Sequence, residues 1–140
     1  TDEAQKEYQL TEFIERSGAN ASTYSRQLAL FLADHDLKLD EALEIARRER
    51  AARADIYTSD VLAWCLYKKG LLTEAQAAMN DALRLGTRDA RLYYHAGTIA
   101  AARGDQTEAK KYLQLALKTD ATFNVLQAAN ARESLAKNGA

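Results

Sequence analysis

The sequence predicts an all-α fold, and three observations carry that expectation. There is no proline in 140 residues, so the usual helix breaker is missing throughout. Ala, Leu, Glu, Lys, Arg and Gln, the strong helix formers, dominate, and no stretch alternates β-branched residues as a strand would. The third observation is an internal period. Gly70 and Gly104 are 34 residues apart, as are Glu74 and Glu108, Ala75 and Ala109, and Asp55 and Asp89. The same offset sets Ala82-Leu83 over Ala116-Leu117 and Leu62-Ala63 over Ala96-Gly97.

Taken in chain order, Asp2–Ser17 reads as the second helix of a hairpin whose first helix is absent, with Glu3-Ala4 and Tyr8 in the positions expected of such a helix. The next hairpin is expected at 23–52 and is a fainter copy. Glu41-Ala42 sits 33 residues before Glu74-Ala75, and Ala29-Leu30 sits 33 before Leu62-Ala63. At that spacing Leu37 stands where the later copies have glycine, so the turn is expected to be built differently.

Hairpins at 56–85 and 89–118 follow, with Asp55 and Asp89 as caps of their first helices and Gly86 as a helix stop. Thr73-x-x-Gln76 and Asp105-x-x-Glu108 read as capping boxes opening the second helices. A lone closing helix near 122–137 presents Arg132, Glu133, Lys137 and Asn138 as a polar outer side. In repeat terms the divisions are 1–18, 23–55, 56–89, 90–123 and 124–140. Small residues at Ala63, Ala75, Ala82, Gly97, Ala109 and Ala116 permit close helix approach, and Leu62, Leu66, Met79, Leu83, Leu113 and Leu117 fill the seams.

The period and these positions resemble the tetratricopeptide repeat, a helix–turn–helix unit with the pattern W-x2-L-G-x2-Y…A-x3-F…P. Leu62-Ala63 and Ala96-Gly97 fall on its L-G pair, and Ala75 with Met79 and Ala109 with Leu113 on A-x3-F. Ser59 and Tyr93 replace the tryptophan, Leu66 and Ala100 the tyrosine, and Thr87 and Ala121 the proline. The resemblance covers roughly 23–123 and implies tandem antiparallel hairpins stacked as a right-handed α-solenoid. Sel1-like arrays are the neighbouring alternative, with a slightly longer period. Such arrays also occur in bacterial proteins, many with an export signal.

Composition closes several other routes. Net charge is −1, giving no overall field for nucleic acid or an anionic membrane, and the longest apolar runs cannot insert into a bilayer. The arginines at 47, 48, 50 and 53 interleave with Glu44, Glu49 and Asp55, which reads as an exposed helix face laced with i,i+4 pairs. The single cysteine, Cys65, lies in an apolar run and reads as a small buried hydrophobe. The chain starts at Thr1 with no charged-then-apolar leader, so an excised or processed piece is expected and the compartment stays open.

No motif of a nucleotide loop, nucleophile elbow or metalloprotease is present, and no enzymatic activity, cofactor or metal is expected. Asp34-His35-Asp36 is the one local grouping with metal-ligand chemistry, but adjacent helical residues diverge, and a solvated helix end is the plainer reading. His95 is expected to pack or to sit at the surface.

The distinctive feature is an aromatic track. Tyr57, Asp60, Trp64 and Tyr67 recur along one helical face, with Tyr24, Gln27 and Phe31 taken as the equivalents in the first hairpin and Arg91, Tyr94 and Thr98 in the third. The resemblance implies that this track lines a concave groove that takes a protein or peptide partner. Tyr24, Phe31, Tyr57, Trp64 and Tyr94 would then be at least partly exposed, with Leu62, Leu66 and Leu83 buried. The competing reading is that Phe31 and Trp64 pack between adjacent hairpins. Domains of this family that hold a terminal carboxylate carry a clamp of lysine, asparagine and arginine at these groove positions, where this chain has Gln27, Phe31, Asp60, Trp64, Tyr94 and Thr98, so an apolar or aromatic-rich ligand is expected. The alternatives to a binding module are a structural segment that self-associates through its end faces, with Tyr8, Phe13 and Ile14 at one of them, and a regulatory appendage of a larger protein.

Overall fold

A computed structural model describes residues 1–16 and 21–137. Among these residues there are eight helices and no strand: α1 (Asp2–Arg16), α2 (Ala21–Asp34), α3 (Leu39–Ala52), α4 (Ile56–Lys68), α5 (Leu72–Leu83), α6 (Ala90–Ala102), α7 (Gln106–Thr119) and α8 (Val125–Lys137). The expected hairpins are these helices taken in pairs: α2 with α3, α4 with α5, and α6 with α7, each pair joined by a short turn and packed together. Successive pairs pack through α3 on α4, α5 on α6, α2 on α4 and α4 on α6, and α8 packs on α7. Ser17 and Asn138, which the sequence reading placed in helices, lie outside the described residues.

Each pair is closed by one local device. The Leu71 N–H donates to the Leu66 carbonyl at 2.9 Å and the Asp105 N–H to the Ala100 carbonyl at 2.9 Å, six residues spanning each turn. That closure needs a left-handed residue just before the donor, and Gly70 (φ 79°) and Gly104 (φ 84°) supply it without a Cβ penalty. The first pair closes identically, with Leu37 donating to Leu32 at 2.9 Å and Asp36 taking the left-handed position at φ 54°.

The 33-residue spacing puts Leu37 in the glycine position, and the structure corrects this. The residue equivalent to the glycines is Asp36, 34 before Gly70, and the turn closure is the same. The difference comes afterwards, where Lys38 is an additional residue, also left-handed at φ 44°. Thus α2 runs 34 residues ahead of α4 while α3 runs 33 ahead of α5. The buried small residue Ala29 is the counterpart of Ala63 and Gly97, not of Leu62.

The caps at Asp55 and Asp89 form as expected, accepting from the N–H groups of Thr58 at 2.8 Å and Arg91 at 2.8 Å, whereas the Asp105 box forms only by half: Asp105 accepts from the Glu108 N–H at 3.1 Å, but its own N–H is taken by the Ala100 carbonyl. The Thr73 box does not form. Helix α5 starts two residues earlier, with Leu71 at the cap and no side-chain bond, because the turn closure has already fixed the backbone there. Gly86 ends the second pair at φ 66°.

The core follows the small-residue rows. Ala63, Ala75, Ala82, Ala109 and Ala116 are buried, together with Leu66, Met79 and Leu113. At Gly97 an added Cβ would lie 2.8 Å from Leu113 Cγ, so α6 and α7 meet there too closely for any side chain. Leu62, Leu83 and Leu117, expected to be buried, are half-buried at the edges of these seams.

Outside the core, Arg47 reaches Glu74 at 3.1 Å and Arg50 reaches Asp81 at 3.5 Å, tying α3 to α5. Arg53 pairs with Glu49 at 3.7 Å as the i,i+4 reading expects. These exposed pairs fix partners more than they add stability. No helix among the described residues is long and apolar enough to cross a membrane.

Candidate partner-binding site

The aromatic track divides into three separate environments. The first belongs to α1 and α2. Because α2 keeps step at 34 residues, the counterparts of Asp60 and Trp64 are Arg26 and Leu30; Gln27 and Phe31 stand one residue on, turned about 100° round the helix. Phe31 and Tyr24 consequently meet α1, where the Phe13 ring stacks on them at 4.7 Å and 6.4 Å. Both are half-buried. On its other side Phe31 stacks with His35 at 4.0 Å, and His35 Nδ1–H donates to the Phe31 carbonyl at 2.9 Å. The Asp34-His35-Asp36 grouping is therefore split among different partners. Asp36 pairs with Lys68 at 3.1 Å and Asp34 serves α4 and α8, and among the described residues no group of three ligating side chains gathers.

The second environment is interior. Trp64 retains 4% of its accessible surface, and Asp60 and Tyr94 are also buried, which corrects the expectation that Trp64 and Tyr94 would be exposed along a groove. The cause is local and visible. The Trp64 ring lies between His95 at 4.1 Å and Tyr67 at 4.8 Å, with Tyr94 tilted against it at 5.9 Å. Its indole N–H donates to Asp34 Oδ1 at 2.8 Å, and the same oxygen accepts from Gln127 Nε2 of α8 at 3.4 Å. Lys68 holds its ammonium 5.5 Å from the ring centre.

Beside this stack the His95 side chain is fully buried, and its Nδ1–H donates to Asp60 Oδ1 at 2.7 Å. Asp60 can be buried only because this bond satisfies it. His95 Nε2 and Ser59 Oγ are buried with no hydrogen-bond partner among the described residues. Cys65, in the same helix, is buried, and burial with the nearby Asp34 and Asp60 carboxylates pushes its thiol pKa up to about 12. Tyr67 is half-buried and closes the stack toward solvent. Thr98, with Tyr94, faces α8 across a small cavity of about 170 Å³ that Asn130, Ala131 and Ser134 complete.

The third environment is open. A cavity of about 230 Å³ lies between α2, α4 and α6, and it gathers four of the residues singled out from the sequence: Gln27, Tyr57, Asp60 and Arg91. Leu30, Val61 and Leu92 make its apolar floor, and Arg26 and Asp89 complete the wall. Tyr57 is 44% exposed, a large aromatic held at the mouth. Arg26 lies over its ring, the guanidinium carbon 5.6 Å from the centroid.

Sequence reasoning missed Arg26, Leu30, Val61, Asp89 and Leu92. The signal that finds the first two is the 34-residue offset applied to α2, since Arg26 is 34 before Asp60 and Leu30 is 34 before Trp64. What the arrangement offers is an apolar recess with hydrogen-bond donors at its rim. No protein-family model matches the chain, and no curated protein matches it in sequence.

Proposed function

We propose that this chain is a non-catalytic scaffold of tetratricopeptide type, a right-handed α-solenoid whose cavity between α2, α4 and α6 takes a peptide or helix of another protein. The observation that carries it is the half-exposed Tyr57 over an apolar floor, flanked by arginines from the two neighbouring helices. Aromatic and arginine side chains at the rim of a recess are the groups that dominate binding at protein interfaces. The packing order supports the solenoid, since each helix pair touches the next through like helices, α2 on α4 and α4 on α6.

Selection from a displayed library of random peptides tests the reading. Peptides recovered on the wild-type chain should lose affinity about tenfold or more on Tyr57→Ala, which leaves the melt unchanged because the ring is already half in water. A library that yields nothing sensitive to Tyr57→Ala counts against the site.

A second reading has its own observation. Trp64 and Tyr94 are consumed by packing, while Tyr8 and Ile14 on α1 and Val125 and Leu126 on α8 are exposed. These ends suit a structural role in which copies of the array associate. Sedimentation over a range of concentrations distinguishes the two, because only self-association moves with protein concentration.

A further inference from the structure

We propose that the cavity between α2, α4 and α6 recognises an acidic peptide segment. An Asp or Glu side chain would be held between Arg26 and Arg91, with a neighbouring aliphatic side chain on Leu30, Val61 and Leu92. This names the partner chemistry of the site above and rests on that reading.

The two arginines come from different helices and stand on either side of Tyr57 at the cavity wall. Neither forms an ion pair with a carboxylate among the described residues. Elsewhere Arg47 pairs with Glu74, Arg50 with Asp81, Lys68 with Asp36 and Lys69 with Asp40. Arg26 holds its guanidinium over the Tyr57 ring, the carbon 5.6 Å from the centroid, and a planar guanidinium with its fork of N–H donors is the group that suits a carboxylate.

Three carboxylates lie close by, and each is already engaged. Asp60 accepts from His95 Nδ1–H at 2.7 Å. Asp89 accepts from the N–H groups of Arg91 and Leu92, and Asp55 from that of Thr58, so both offset the positive end of a helix. Arg26 is near enough to Asp55 to help hold its carboxyl below the usual range, but it does not close a pair with it. The donors of Arg26 and Arg91 are thus not taken up by these carboxylates.

Size limits the occupant. A cavity of about 230 Å³ is smaller than the roughly 300–1,000 Å³ of small-molecule sites, and it suits one or two side chains of an extended segment. An apolar floor beside two arginines whose donors are not taken up by the wall's own carboxylates, Asp60 and Asp89, asks those side chains to be one aliphatic and one anionic. The sequence expectation of an apolar or aromatic-rich ligand did not include Arg26, and its inclusion changes the chemistry of the site.

The test uses fluorescein-labelled synthetic peptides alternating Glu and Leu, with Gln–Leu and Lys–Leu versions as comparisons, read by anisotropy at low and high salt. The expected result is saturable binding of the Glu–Leu peptide alone, weakened by salt. Arg26→Gln and Arg91→Gln should each lower affinity about tenfold, Arg26→Lys should recover part of it, and Arg47→Gln should change nothing. Melts of the same variants confirm folding. Equal binding of the Glu and Gln peptides, or wild-type binding by both arginine variants, overturns the proposal, as does a Glu–Leu peptide that fails to bind. If the displayed library yields peptides sensitive to Tyr57→Ala that carry no acidic residue, the acidic assignment fails while the binding site stands.

Discussion

Replacing Trp64 by alanine separates packing from partner recognition in one variant. The ring has 4% of its surface exposed and is stacked between His95 and Tyr67, so truncation removes a core aromatic, at about 3–5 kcal/mol. The lower end of that range applies, because Asp34 is exposed and Tyr67 only half-buried, and water can enter the vacated space. At roughly 4 °C per kcal/mol for a chain of this size, the melt should fall by about 12 °C. Trp64→Phe keeps most of the stack and loses the bond to Asp34, which is then rehydrated. It should cost about 1 kcal/mol, or about 4 °C. Circular dichroism melts of the two variants give both numbers. Acrylamide quenching of this one tryptophan should be weak in the wild type and strong only after unfolding. Ready quenching in the folded state, or a Trp64→Ala melt within about 3 °C of wild type, refutes the interior assignment.

Gly97→Ala should destabilise by about 1 kcal/mol. Its Cβ meets Leu113 Cγ at 2.8 Å and the Leu113 amide nitrogen at 3.1 Å, an overpacking cost of roughly 1–3 kcal/mol, less about 1 kcal/mol gained in helix propensity. A urea midpoint unchanged or raised contradicts it. Asp55→Ala should cost about 1 kcal/mol as a lost cap, checked by the same unfolding curves. The Asp55 pKa shift adds a pH signature. Partial burial pushes it up, but hydrogen bonding by Thr58 and the charge of Arg26 outweigh that and hold it below 3.8. A depressed carboxyl stabilises the fold above the unfolded value, and that contribution disappears as pH falls through the folded value. Asp55→Asn, which keeps a cap without a titrating group, should therefore show a shallower loss of stability below about pH 4; parallel acid curves would contradict the assignment. Cys65, with a thiol pKa of about 12 and no exposure, should react with a disulfide reagent only on unfolding. Rapid labelling of the native chain would show that α4 is misplaced.

How far the molecule was legible in its sequence depends on which signal was used. The helices and their pairing were legible because Gly70 with Gly104 and Asp55 with Asp89 mark breaks that only short turns and caps can occupy. The close approach at Gly97 was legible for the same reason, as a residue type with one physical use there. Exposure of the aromatics was not. Periodicity reports which side chains share a face, but whether that face meets solvent depends on His95 and Asp60, 35 positions apart, bonding across helices to bury it. The fate of Tyr24 and Phe31 was hidden by one residue of register. Taking 33 for α2 put Phe31 over Trp64, and only the carbonyl of Leu32, which accepts the turn-closing bond, shows which offset holds. Arg26 fell out of view with that choice.

The additional residue at Lys38 bears on how such a chain can change length over time. The turn of the first pair closes at Leu37 before the insertion is met, so α2 ends as its counterparts do. The left-handed backbone at Lys38 then absorbs the length difference, and Ala42 still arrives at a buried position like Ala75 and Ala109. The same residue added inside α3 would turn everything after it by about 100° and carry Ala46 out of the core. Insertions and deletions should therefore survive just past the closing bond of each turn and nowhere else in a pair. In a lineage of such chains, length variation would collect at the positions following Leu37, Leu71 and Asp105, and the helix lengths between them would stay fixed.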